Sequence, residues 1–163
     1  MSAPTVGMDV NTEPGNRANV LIVDDTAANL RLLAQMLNEH GYHARPVLSG
    51  LQALAAAQVM PPDLILLDIR MPGMDGYEVC QRLKADERTR DIPVLFISAL
   101  SDAEDKVRAF STGGADYITK PFQLEEVLAR VQTHLTVRSL QHHLRQEIVE
   151  RDSLIADLKA YAH

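Results

Sequence analysis

Cysteine is almost missing from this chain of 163 residues: Cys80 is the only one, so no internal disulfide and no cysteine-based zinc site can form. Such usage fits a reducing cytosol. Tryptophan is absent and aromatics total 4%, so aliphatic side chains must fill the core and stacking platforms for single-stranded nucleic acid are not expected. Positive charge is also short, 16 basic residues against 22 acidic, for a formal charge of −6. A protein that neutralises phosphates needs the opposite balance, so no direct nucleic-acid partner is expected. Apolar runs such as Leu64–Leu67 fall far short of a bilayer span, and no basic-then-apolar leader opens the chain. We therefore expect no membrane insertion and a cytoplasmic location.

What is present suits one domain plus an extension. Apolar residues make up 46% of the chain and charged residues 23%, enough to bury a sizeable core. Residues 1–18 carry Pro, Gly and polar residues without an apolar period and read as a disordered leader. From Asn19 onward, short apolar runs alternate with helical stretches: Val20–Val23, His43–Val47, Leu64–Leu67, Val94–Ile97 and Ala115–Thr119. Most are apolar enough to be buried on both faces, as a parallel sheet covered by helices requires. His43–Val47 is the weakest.

Between them, Leu30, Leu33, Met36 and Leu37 recur at helical spacing, and Leu51, Leu54, Ala55 and Val59 do so less cleanly. Asp75 reads as a helix cap, and Ser101 with Glu104 as a capping box before Val107 and Phe110. Gly41 and Gly113-Gly114 sit where a left-handed residue ends a helix. The expectation is an α/β fold of (βα)5 type, a doubly wound five-stranded parallel sheet over residues 19–133.

From Gln123 to His163 there is no Pro or Gly, which predicts one long helix or two stacked ones. Beyond Leu135, Val137, Leu140, Leu144, Leu154, Leu158 and Tyr161 follow alternating steps of three and four, with Glu147 and Arg151 in seam positions between them. Residues 134–163 thus read as a helical coiled-coil linker able to pair two copies. His142 and His143 are adjacent and point to different helix faces, so they read as solvated rather than as a metal or relay site. Cys80 reads as a small packing residue.

Ligands in open parallel sheets bind at the carboxyl ends of the strands. There the chain places Asp24-Asp25, Asp68, Ser98 and Lys120-Pro121 after successive apolar runs. Three crowded carboxylates repel one another, and Lys120 alone cannot compensate them. A hard, partly hydrated divalent cation, Mg²⁺, suits that site and the aspartyl-phosphate chemistry it suggests.

Val23-Asp24-Asp25, Leu67-Asp68-Ile69-Arg70-Met71-Pro72-Gly73-Met74-Asp75-Gly76, Ile97-Ser98-Ala99 and Gly114-Ala115-Asp116-Tyr117-Ile118-Thr119-Lys120-Pro121-Phe122 occur in this order. Together they resemble the response-regulator receiver domain of bacterial two-component phosphorelays. The resemblance implies a flavodoxin-like sheet of order 2-1-3-4-5. It implies that Asp68 is the phosphoacceptor for a phosphohistidine on a cognate histidine kinase or phosphotransfer protein. Asp25 would bind Mg²⁺ directly, Asp24 mainly through water, and the Arg70 backbone carbonyl would complete the protein ligands. Lys120 and Ser98 would contact the phosphoryl group, Tyr117 would turn inward as the Ser98 hydroxyl moves, and Lys120-Pro121 would be a cis peptide bond. Beyond Mg²⁺-dependent self-phosphorylation and self-dephosphorylation, no enzyme activity is expected of this chain. Arg70 and Leu100 stand where side chains affect acyl-phosphate lifetime.

Residues 154–163 resemble the linker leading into a histidine kinase, so the parent reads as a hybrid sensor kinase. A receiver governing a nucleotide cyclase and a stand-alone adaptor are the alternatives. A haloacid-dehalogenase-type phosphatase also uses an Asp nucleophile with Mg²⁺, but it wants D-x-D, and Asp68-Ile69-Arg70 lacks the second Asp.

Overall fold

A computed structural model gives the fold, and the residues described are 17–100 and 102–162. The elements alternate: β1 (Asn19–Val23), α1 (Ala27–Glu39), β2 (His43–Val47), α2 (Gly50–Val59), β3 (Leu64–Leu67), α3 (Gly76–Ala85), β4 (Val94–Ser98), α4 (Ala103–Ser111), β5 (Asp116–Thr119) and α5 (Leu124–Tyr161). The five strands are parallel in the order β2-β1-β3-β4-β5. Residues 1–16 of the expected leader, and Ser101, lie outside the described residues.

Alternation along each strand builds two apolar layers. Leu21, Val23, Ile65, Leu67, Val94 and Phe96 face α2, α3 and α4. Val20, Ile22, Leu64, Leu66, Leu95 and Ile97 face α1 and α5. Burying each such side chain contributes about 1.5–3 kcal/mol, and β1, β3 and β4 are buried almost throughout. β2 is an edge strand, which tolerates Pro46 because one row of its backbone groups needs no partner.

α1 buries Leu30, Leu33, Met36 and Leu37, as its spacing predicts. α2 departs from expectation: Gly50, Ala53 and Ala57 are its buried residues, while Leu51 and Val59 are exposed. The small face wins because α2 lies close to α3, where a Cβ on Gly50 would come within 2.7 Å of Val79. α4 departs too. Only Ala109 is buried, Val107 and Phe110 are exposed, and the N-cap is Asp102, whose side chain makes no capping bond. Asp75 does cap α3, accepting from the Glu78 amide at 2.9 Å.

α5 is one uninterrupted helix of 38 residues, about 57 Å long at 1.5 Å per residue. Val127 and Val131 anchor it to the sheet. Farther on, Arg138 donates to the Pro62 and Asp63 carbonyls, and Arg145 Nη1 lies 3.3 Å from Asp91 Oδ2. Those partners precede β3 and β4, so the helix passes the amino edge of the sheet before projecting from it.

Candidate functional site at the carboxyl edge of the sheet

The strand order reverses between β1 and β3, and a crevice opens beyond their carboxyl ends. Asp24 and Asp25 follow β1 and Asp68 follows β3, so backbone pairing brings their carboxylates together. The Asp68 amide donates to the Val23 carbonyl at 2.9 Å and holds the two strand ends in line. One carboxylate oxygen from each of Asp24, Asp25 and Asp68 lies within 4.8 Å of the others. Lys120, after β5, reaches across β4: its Nζ is 3.1 Å from Asp24 Oδ2 and 3.2 Å from Asp68 Oδ2. The Lys120–Pro121 peptide bond is cis.

The three acids differ in their surroundings. Asp24 is buried and engaged, accepting from the Thr26 amide at 2.8 Å, from Asn29 Nδ2 at 3.3 Å and from Lys120. Asp25 is exposed and makes no hydrogen bond among the described residues. Asp68 is buried, with Lys120 as its ion-pair partner. Burial pushes the Asp68 carboxyl above its ordinary range, and the Asp24 charge adds to this, against the pull of Lys120. Burial works against the Lys120 ammonium, but Asp24 and Asp68 outweigh it and hold its pKa above the usual value. The site therefore holds more negative charge than its own cation neutralises.

The donor set fits Mg²⁺. All the donors are hard oxygens, the excess charge is negative, and the free Asp25 carboxylate has its ligand atoms uncommitted. Asp24, already holding three donors, suits contact through water. No hydrogen bond engages the Arg70 carbonyl among the described residues, while the Arg70 side chain is exposed.

Ser98, at the end of β4, is fully buried, and its Oγ accepts from the Leu100 amide at 3.3 Å. Tyr117 is 9% exposed, packs against Phe96 with ring centroids 6.5 Å apart, and donates its hydroxyl to the Leu100 carbonyl. The ring thus lies inward, against Phe96 and the backbone that follows β4. Burial raises the Tyr117 pKa, so the phenol stays protonated and remains a donor.

Several supporting residues carry weak sequence signals. Gly76 opens α3 directly against the loop after β3: its amide donates to the Ile69 carbonyl, and a Cβ there would lie 2.8 Å from Ile69 Cα. Thr26 and Asn29 hold Asp24, and only the helix start at Ala27 makes Asn29 legible as its neighbour. A cavity of about 610 Å³ opens beside this loop, lined in part by Arg70, Met71, Tyr77, Leu100 and Arg108. Arg108 covers the Tyr77 ring at 4.2 Å. Cys80 is buried, hydrogen-bonded to the Thr112 carbonyl, and its thiol is pushed up by burial, as suits packing. His142 and His143 are exposed on α5.

Comparison with known proteins gives a consistent picture. Residues 20–132 match the family described as response regulator receiver domain. The chain is 44% identical over 137 residues to the DNA-binding dual master transcriptional regulator RpaA of Synechocystis, covering 83% of this chain and 57% of that protein. It is 42% identical over 129 residues to response regulator PleD of Caulobacter vibrioides, covering 79% of this chain and 28% of that protein. The chain therefore spans only part of these relatives. Among solved structures, the signal receiver domain of a signal transduction histidine kinase from Syntrophus aciditrophicus is 37% identical with TM-score 0.69, covering 73% of this chain and 90% of that one. A response regulator from Chloroflexus aurantiacus is 34% identical with TM-score 0.71, covering 74% and 98%.

Proposed function

The chain belongs to the response regulator receiver family, and from that premise we propose that Asp68 accepts a phosphoryl group from the phosphohistidine of a cognate kinase or phosphotransfer protein. The observation that carries this reading is the buried Asp68 carboxylate, 3.2 Å from Lys120 and with one oxygen within 4.8 Å of oxygens of Asp24 and Asp25. An Asp68 oxygen attacks phosphorus, the P–O bond forms as the P–N bond to imidazole breaks, and the imidazole departs. Such transfer needs positioning and charge neutralisation more than covalent help. Mg²⁺, held by Asp25, Asp68 and the Arg70 carbonyl, with Asp24 through water, would offset charge on the phosphoryl oxygens. Lys120 would keep its place beside Asp68 and pair with one of those oxygens. Ser98 would exchange the Leu100 amide for a phosphoryl oxygen, and because Tyr117 is tied to the Leu100 carbonyl, that exchange would be felt on α4 and β5.

Incubation with Mg²⁺ and a small phosphodonor tests the assignment by intact mass. One phosphoryl group is expected on the unaltered chain and none on Asp68→Asn. Label on Asp68→Asn at full stoichiometry overturns it, and unchanged Mg²⁺ affinity in Asp25→Ala removes the direct-ligand role.

The domain divides at 19–133 for the receiver and 134–163 for a helical linker through which two copies pair in parallel. The parent is a hybrid sensor histidine kinase, a reading supported by the likeness to a kinase-borne receiver. With a charge of −6, this segment itself does not grip nucleic acid. No helix among the described residues is long and apolar enough to cross a membrane. Reading the parent gene beyond codon 163 decides the output: a phosphoacceptor-histidine helix supports the kinase, whereas a winged DNA-binding module or a cyclase domain overturns it.

A further inference from the structure

The projecting part of α5 leaves Val137, Leu140, Leu144, Ile148, Ile155 and Leu158 between 39% and 61% exposed. Strict heptads from Val137 would put Glu147, Leu154 and Tyr161 in the seam. Taking two successive steps of four, from Leu140 to Leu144 to Ile148, gives another line: Val137, Leu140, Leu144, Ile148, Arg151, Ile155, Leu158 and Ala162. That line keeps Ile148 and Ile155 and moves Glu147 off the contact. Its eleven-residue spacings, Val137 to Ile148 and Leu144 to Ile155, run nearly straight along a helix of 3.6 residues per turn.

At about 100° per residue, this stripe lies roughly 120° around the helix from Arg138 and Arg145. Those two arginines face the chain's own domain, on the same line as the buried Val127 and Val131. A second helix can cover the stripe without displacing the receiver. We propose that the occupant is the α5 helix of a second copy, parallel and in register, seated on the straight stripe through Ile148 and Ile155. This rests on the reading of the linker as a pairing helix and specifies its contact.

Charge complementarity argues for a second copy. Arg151 is the only charged residue of the stripe, and among the described residues neither it nor Glu150 or Asp152 makes an ion pair. In a parallel, in-register pair a side chain at such an inner position packs beside the residue that follows its counterpart, so each Arg151 meets the other copy's Asp152. Two-fold symmetry supplies the acid at the same level as the base. The size is also sufficient: pairing helices over residues 137–162 covers on the order of 1,500 Å² in total, the scale of a specific interface.

Disulfide trapping of the full chain tests the register, because a new cysteine bonds to its own counterpart rapidly only on the seam of a parallel pair. The native Cys80 is buried, so the unaltered chain is the blank. Ile148→Cys and Ile155→Cys are expected to cross-link at least about tenfold faster than Glu147→Cys and Leu154→Cys, with α5 helicity unchanged by circular dichroism. Faster linking at 147 and 154 overturns the straight register and keeps the parallel pair. No linking at any of the four, with a monomer in sedimentation at high micromolar concentration, overturns the pairing itself. Ile148→Asp supplies the second measurement: dissociation of the pair supports the proposal, and an intact pair sinks it.

Discussion

At the carboxyl edge of the sheet Asp24 and Asp68 share one ammonium, Lys120, and Asp25 beside them has none, whereas at the amino edge Asp63 and Asp91 each have a guanidinium, Arg138 and Arg145. Both edges set aspartates against basic side chains, and the arithmetic differs. Where acids exceed bases, the folded domain carries uncompensated negative charge that a cation can use. Where they balance, the charges only fix the direction in which α5 leaves. A site for chemistry is recognisable here as the place where the domain leaves its electrostatics incomplete.

Substitutions at the two edges should therefore behave oppositely. The largest effect is expected for Lys120→Met: phosphoryl uptake by Asp68 falls on the order of 100-fold, as for loss of one aimed charge at a transition state, measured by the rate of mass gain. A fall below threefold would equate the edge with ordinary surface charge. Next comes Gly76→Ala, expected to lower stability by about 2 kcal/mol because the new Cβ meets the Asp68–Ile69 backbone, read from urea unfolding.

Asp68→Asn should go the other way. A carboxyl whose folded pKa is raised favours the folded state when protonated, and that contribution is lost as pH rises through the folded pKa. At neutral pH without Mg²⁺, the Asn variant is expected to melt roughly 3 °C higher, as about 1 kcal/mol gives in a domain of this size. Saturating Mg²⁺ should narrow the gap. By contrast, Arg138→Ala at the amino edge should lower stability by about 1 kcal/mol and leave phosphoryl uptake within a factor of two, since its partners are carbonyls before β3.

The smallest effect concerns Asp116, which accepts from Arg130 and lies 3.0 Å from His134 Nε2. Burial would raise its pKa, but the contact with His134, the Tyr117 amide and Arg130 outweigh it and hold the carboxyl below its usual range. The stability this gives is present above the unfolded pKa of about 3.9 and is lost as pH falls through the lower folded value. His134→Ala should cost about 0.5 kcal/mol at pH 6, with the difference shrinking below pH 4 in thermal melts.

Legibility followed how local each cause is. Val20–Val23, Leu64–Leu67 and Val94–Ile97 announce themselves as buried strands, and polar residues just past them mark the edge that holds the candidate site. α2 and α4 were harder. Leu51, Val59, Val107 and Phe110 have helical spacing, yet Gly50, Ala53, Ala57 and Ala109 face inward, because proximity to neighbouring elements favours small side chains over apolar ones. The carbonyls held by Arg138 carry no signature in residue type.

The order of apolar runs and the chemistry of Asp24, Asp25, Asp68, Ser98 and Lys120 were determined by sequence, since burial period and charge are properties of the residues themselves. That Asp24 is buried and engaged while Asp25 stays open, that Tyr117 already lies inward against Leu100, and that α5 is held by Arg138 and Arg145 were decided by tertiary structure. Each depends on distances between elements far apart in the chain, and packing alone sets those distances.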